Sequence, residues 1–136
     1  MTNATEIIKK KIGLIQQILD IVRQMFGIQT QLEKLQTEQM VRRIAANYKV
    51  DVEVLVATIK CESGMNPKAV NKNPNGTIDY GLCQFNDYWY GNIISPKVAL
   101  NQPEVAVNVM CQQWEKGRQS DWICHRNKKY TQYLNV

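Results

Sequence analysis

Residues 51–90 read DVEVLVATIKCESGMNPKAVNKNPNGTIDYGLCQFNDYWY, and within them the pattern changes from helix to sheet. Asp51 suits an N-cap, and the apolar run behind it predicts a helix over about 51–63. The next stretch, 64–87, is rich in Gly, Asn, Pro and Thr and cannot hold a long helix. It reads as a loop and a small β-hairpin turning at Asn75-Gly76, a dipeptide that supplies the positive φ angles of tight hairpin turns. Further along, Pro103 stands at a first helical position, with a helix from Glu104 to Glu115 and another from Asp121 to near Tyr130. Upstream, a short helix is expected over 38–47. The fold class is therefore α+β, mainly helical, with a small hairpin.

Residues 5–39 have a different character. Ile18, Ile21, Met25, Ile28, Leu32 and Leu35 alternate spacings of three and four, the mark of a helical apolar stripe. A second stripe, Ile8, Ile12, Ile15, Leu19, Val22 and Phe26, runs beside it, so the face is wider than a two-stranded coiled-coil seam. The partner of such a face is another copy of the helix, a membrane surface, or the domain that follows. Gly13 and Gly27 each weaken a helix by roughly 1 kcal/mol relative to alanine, and a bend or break is expected at Gly27. The chain thus divides into a long amphipathic N-terminal helical appendage, 1–39, and a working domain, 40–136, where aromatics and cysteines concentrate.

The length of 136 residues allows one ordinary core. A net charge of +5 suits anionic partners, but the basic residues are scattered, with Lys9, Lys10, Lys11 and the Lys128, Lys129 pair among the few tight clusters. No aromatic-rich basic stripe marks a nucleic-acid groove, and nucleic acid is not expected as a partner. Gln, Asp, Arg and Lys interrupt the N-terminal segment too often for a membrane span, and it lacks the h-region and cleavage site of a secretory signal. Work outside a membrane would then need another route of export or release.

Two carboxylates stand in contrasting settings. Glu62 closes the apolar helix, with Thr58 and Ile59 one turn back, so its surroundings can be dry. Asp79 lies on the hairpin among Asn71, Asn73, Thr77 and Asn86, whose side chains can hydrogen-bond an ionised carboxylate. Glycosidic-bond hydrolysis needs one carboxylic acid still protonated and one ionised carboxylate, a contrast that differing environments supply. Composition alone favours a surface charge for Glu62 and a turn residue for Asp79.

The run Cys61–Tyr90 closely resembles the active-site segment of animal-type lysozymes. Glu62-Ser63, then Asp79-Tyr80-Gly81 seventeen residues after the glutamate, then Gln84, Asn86 and the aromatic pair Trp89-Tyr90 stand at the family's spacing. ESGMNPKAV also resembles the Glu-Ser-x-x-x-Pro-x-Ala signature of bacterial soluble lytic transglycosylases, whose domains share the lysozyme-like fold. DWICHRN resembles the segment that sets a tryptophan, here Trp122, against the catalytic glutamate. The resemblance covers roughly residues 40–130.

What it implies is a lysozyme-like muramidase acting on peptidoglycan at an extracytoplasmic, cell-wall-directed site, without a cofactor. Glu62 would be the general acid/base and Asp79 the nucleophile or stabiliser, roles for which lysozyme is the standard example. Asn73, Thr77 and Asn86 would orient Asp79. Trp89 and Tyr90 would offer flat faces to sugar rings, Gln84 and Asn71 would supply hydrogen bonds in the cleft, and Trp122 would keep Glu62 dry. Ser63 and Tyr80 would support the site. Tyr90 stands where the family usually has a second tryptophan. Two other readings remain: a lytic transglycosylase forming an anhydro-sugar, and a non-catalytic sugar-binding or assembly protein.

His125, the sole histidine, has no cysteine or carboxylate pattern around it that suggests a metal, and a packed or solvent-facing ring is expected. Cys61, Cys83, Cys111 and Cys124 lack zinc-site spacing and do not occupy the usual disulfide positions of the animal enzymes. If Glu62 and Trp122 share the cleft implied by the resemblance, Cys61 and Cys124 lie close enough to bridge. The alternative is four buried free thiols, and Cys83 and Cys111 stay open.

Overall fold

The computed structural model describes residues 3–134. Met1, Thr2, Asn135 and Val136, the outer ends of the two expected segments, lie outside them. Two compact units emerge, Met1–Leu35 and Gln36–Val136.

The first unit consists of most of helix α1, Ala4–Ala45. The helix runs through Gly13 and Gly27 without the break that was one of the two outcomes expected at Gly27. An added Cβ at either glycine would meet nothing within 4 Å, so neither marks a close approach. Each is only a propensity cost, absorbed within a 42-residue helix. The apolar stripes, from Ile8 to Leu35, are exposed. Among the described residues, no helix is long and apolar enough to cross a membrane.

The second unit carries the core. The helix expected over 38–47 is the end of α1, whose Val41, Ile44 and Ala45 are buried. Arg42 holds this turn to its surroundings through ion pairs with Glu38 and Glu53, and Glu38 also pairs with Lys60. Helix α2, Val52–Ser63, begins at Asp51, whose side chain accepts from the Val54 amide at 3.1 Å. It buries Leu55, Val56, Ala57, Thr58 and Ile59, and ends where Gly64 takes a left-handed conformation.

The hairpin is larger than expected. Strands β1, Val70–Lys72, and β2, Ile78–Tyr80, pair antiparallel across the Asn75-Gly76 turn, with Asn71 opposite Asp79. A two-residue third strand, β3, Phe85–Asn86, pairs with β2 and sets Asn86 opposite Asp79. Gly81, after β2, has φ +78° and packs so tightly that a Cβ would fall 2.1 Å from the Ala99 carbonyl oxygen. Helices α3, Asp87–Tyr90, α4, Pro96–Asn101, and α5, Pro103–Glu115, follow. The single helix expected over 121–130 is instead three short pieces: a 3-10 turn at Gln119–Asp121, α6 at Ile123–Arg126, and a 3-10 turn at Lys129–Tyr133. Trp122 is extended at one junction and Lys128 left-handed at φ +60° near the other, and neither conformation continues a helix. Leu55, Ile59, Leu82, Met110 and Val107 are among the fully buried side chains of the shared core.

Candidate active site

The end of α2, the sheet and the α6 segment border one cleft of about 500 Å³, lined by both Glu62 and Asp79. Glu62 sits in the last turn of α2, half-buried, and its Oε1 accepts a 2.9 Å hydrogen bond from the Cys124 backbone amide. Burial pushes the Glu62 carboxyl above its usual range, and the Asp79 charge pushes it further up; the Cys124 amide and the Arg126 cation pull it down. The environment favours the protonated acid, as general-acid work requires.

Asp79 is at the centre of β2 and is handled differently. Asn86 Nδ2 donates to Asp79 Oδ1 at 2.8 Å and to Thr77 Oγ1 at 2.9 Å. Asn86 also caps α3, its Oδ1 accepting from the Tyr88 and Trp89 amides. Thr77 Oγ1 in turn accepts from Asn73 Nδ2 and donates to Asn75 Oδ1. The three polar residues named for orienting Asp79 therefore form one hydrogen-bonded chain, but only Asn86 bonds the carboxylate itself.

The aromatic residues divide. Trp89 stands on the cleft rim, 69% exposed and edge-on to Tyr88. Tyr90 lines the cleft but is only 4% exposed, packed against Phe85 and Trp122, with the Arg118 guanidinium over its ring. Its hydroxyl donates to Asp121 at 2.6 Å, and burial raises its pKa. Of the pair expected to offer faces to sugar, only Trp89 has one free, because the fold spends the Tyr90 ring on packing. Trp122 lines the cleft with Glu62 and is fixed by its indole N–H, which donates to the Cys83 carbonyl at 2.7 Å.

Gln84 and Asn71 hold each other. Asn71 Nδ2 donates to Gln84 Oε1 at 2.7 Å, while Gln84 Nε2 donates to the Ala69 and Gly81 carbonyls. Gln84, buried and at φ +53°, lines the cleft and braces the loop before β3 with its amide. Ser63 bonds back to the Ile59 carbonyl, and Tyr80 packs against the core. Neither borders the cleft.

Cys61 and Cys124 form a disulfide with Cα atoms 6.1 Å apart. Cys83 and Cys111 are buried free thiols, pushed up by burial, Cys111 to about 12. His125 stacks on Tyr130 and meets Trp114 edge-on. Among the described residues, no group of three His, Cys, Asp or Glu side chains could hold a metal ion.

The cleft also contains residues that sequence reasoning passed over: Pro74, Asn75, Arg118, Asp121, Ile123 and Arg126. Arg118 pairs with Asp121 at 2.8 Å. Asp121, Ile123 and Arg126 flank Trp122 in the very segment that resembles lysozymes, which was the available signal.

A half-buried glutamate at a helix end, an amide-held aspartate on the central strand and a tryptophan share one cleft. Residues 30–124 match the C-type lysozyme/alpha-lactalbumin family. The chain belongs to that family. Among individual relatives, Protein IpgF of Shigella flexneri is 46% identical over 41 residues, which are 30% of this chain and 27% of that protein. Lysozyme C of Ortalis vetula is 43% identical over 37 residues, 27% of this chain and 29% of its own length. The matched stretches span less than a third of either relative.

Proposed function

We propose that residues 40–136 form a peptidoglycan muramidase hydrolysing the β-1,4 bond between N-acetylmuramic acid and N-acetylglucosamine. The observation that carries this reading is the unequal treatment of two carboxyls in one cleft: burial favours the acid form of Glu62, while Asn86 donates to Asp79. Glu62 protonates the leaving glycosidic oxygen. Asp79 attacks the sugar or stabilises its oxocarbenium-like transition state, and water activated by Glu62 completes the reaction with retained configuration. Trp89 supplies a platform for a sugar ring. The site of action is outside the cytoplasm, where peptidoglycan lies and where a disulfide such as Cys61–Cys124 persists.

Purified peptidoglycan digested with the protein, followed by mass spectrometry of the fragments, tests the reading. Hydrolysis yields reducing ends carrying one added water. Anhydro-sugar products would replace this reading with a lytic transglycosylase, which the ESGMNPKAV segment favours. Digestion unchanged by Glu62→Gln would remove the catalytic role of Glu62 altogether.

A further inference from the structure

We propose that residues 7–35 of α1 assemble with the same segment of further copies of this chain into a bundle of three or more helices.

Fourteen large apolar side chains in this segment are 40–70% exposed, from Val22 at 40% to Phe26 at 70%. Together they present on the order of 1,000 Å² of apolar surface or more, where a standard stable interface buries about 800 Å² per partner. The largest apolar patch of a typical monomer is about 300–600 Å². Area alone therefore calls for a protein-sized partner.

The pattern within the face says which partner. Ile18, Ile21, Met25, Ile28, Leu32 and Leu35 hold a strict 3,4 alternation, the seam of a left-handed supercoil. Up to Phe26 the second stripe widens the apolar arc to roughly 180° at 100° per residue. A two-helix coiled coil covers only the narrow seam, so the rest of this arc stays wet in a dimer and is covered when each helix has two or more neighbours. Isoleucine at successive seam positions, as at Ile18 and Ile21, likewise favours higher-order bundles over pairs.

Over its middle turns the opposite side of the helix lacks the basic face of a lipid-surface helix. Membrane-surface helices concentrate Lys and Arg on their polar face. Lys9, Lys10 and Lys11 stand together near the start of the segment and Lys34 near its end, but between Ile12 and Glu33 the polar side is built largely from Gln16, Gln17, Gln24 and Gln31. The sole cation there, Arg23, is ion-paired with Asp20 at 2.9 Å.

Such a bundle gathers several clefts on one particle, which raises effective affinity for a polymer offering many sites. Self-association stands apart from the proposed activity and is read without it.

Light scattering on the full chain at micromolar concentration provides the test. The expected mass is at least three times the 15.7 kDa of one chain, and Ile18→Glu/Met25→Glu should lower it to that of a single chain. In that variant the near-ultraviolet circular dichroism of the tryptophans, all at or after Trp89, should be retained. A wild-type mass of one or two chains overturns the proposal. So does a wild-type monomer that sediments with phosphatidylglycerol vesicles. If the variant loses its tryptophan signal, the wild-type mass still decides.

Discussion

The Cys124 amide meets the Glu62 carboxylate at 2.9 Å, and the side chain of the same Cys124 is bonded to Cys61, the residue before Glu62. One covalent tie therefore holds both ends of the hydrogen bond that opposes burial at the acid. Replacing both cysteines in Cys61→Ala/Cys124→Ala opens a link across a sequence separation of 63 residues. By chain entropy this costs about 4 kcal/mol, measurable by urea titration. It also frees the amide, which lowers the Glu62 pKa. Loss of that donor raises the pKa, keeps the acid protonated to higher pH, and moves the alkaline limb of the pH–activity profile upward. A stable variant with an unmoved limb would count against the coupling.

Arg126 acts on the same carboxyl through space. Its cation favours ionised Glu62 and so holds the pKa down against burial. Arg126→Gln removes that pull, and the alkaline limb should again move to higher pH. Because Arg126 is exposed, salt screens its influence, and the gap between variant and wild type should narrow as ionic strength rises. The cysteine variant should show no such narrowing. Profiles at low and high salt separate the two causes.

What could be read from the chain beforehand follows the range of the forces involved. The Asp51 cap, the helix behind it, the Asn75-Gly76 turn and the Pro103 helix start are set by neighbours within a few residues, and these elements appear where the pattern puts them. The two-residue strand β3 and the one-turn helix α3 have no period to read. They exist because Phe85 is buried and Asn86 caps the following turn. The C-terminal pattern looked helical through Tyr130 because nothing local announces a left-handed lysine at 128. In the cleft, Glu62 and Asp79 were singled out through the resemblance of Cys61–Tyr90 to lysozymes, since composition alone favoured a surface charge and a turn residue. Whether the Tyr90 ring is free or covered depends on Phe85 and Trp122, and on Asp121 holding its hydroxyl, which is a tertiary fact.

Gly81 closes the Asp79-Tyr80-Gly81 run for two reasons that can be separated. Its φ of +78° is costly for any residue with a Cβ, and that Cβ would fall 2.1 Å from the Ala99 carbonyl oxygen, a backbone atom that cannot swing aside. Gly76 shares the first problem at φ +88° but has nothing within 4 Å. Gly76→Ala should therefore cost about 1 kcal/mol, the penalty for the left-handed region. Gly81→Ala should cost at least about 2 kcal/mol, since α4 must shift as well. Thermal melts of the two variants test the difference, and equal losses would mean that the Ala99 contact is relieved without cost.

Asn86 performs two tasks with opposite ends of one amide. Its oxygen caps α3 by accepting from the Tyr88 and Trp89 amides, and its nitrogen donates to Asp79 and Thr77. Asn86→Asp preserves an oxygen for the cap, because aspartate is as good an N-cap as asparagine. It removes the donor and sets a second carboxylate opposite Asp79. Stability should fall only modestly, while glycan cleavage drops on the order of a hundredfold, the usual loss when one preorganised donor is removed from a charged reaction centre. Asn86→Ala loses the cap too, so it should lower stability by about 1 kcal/mol more. Comparing cleavage rates with melting temperatures across the pair distinguishes orientation of Asp79 from simple loosening of the sheet. Full activity in Asn86→Asp would show that the bond to Asp79 contributes nothing to the reaction.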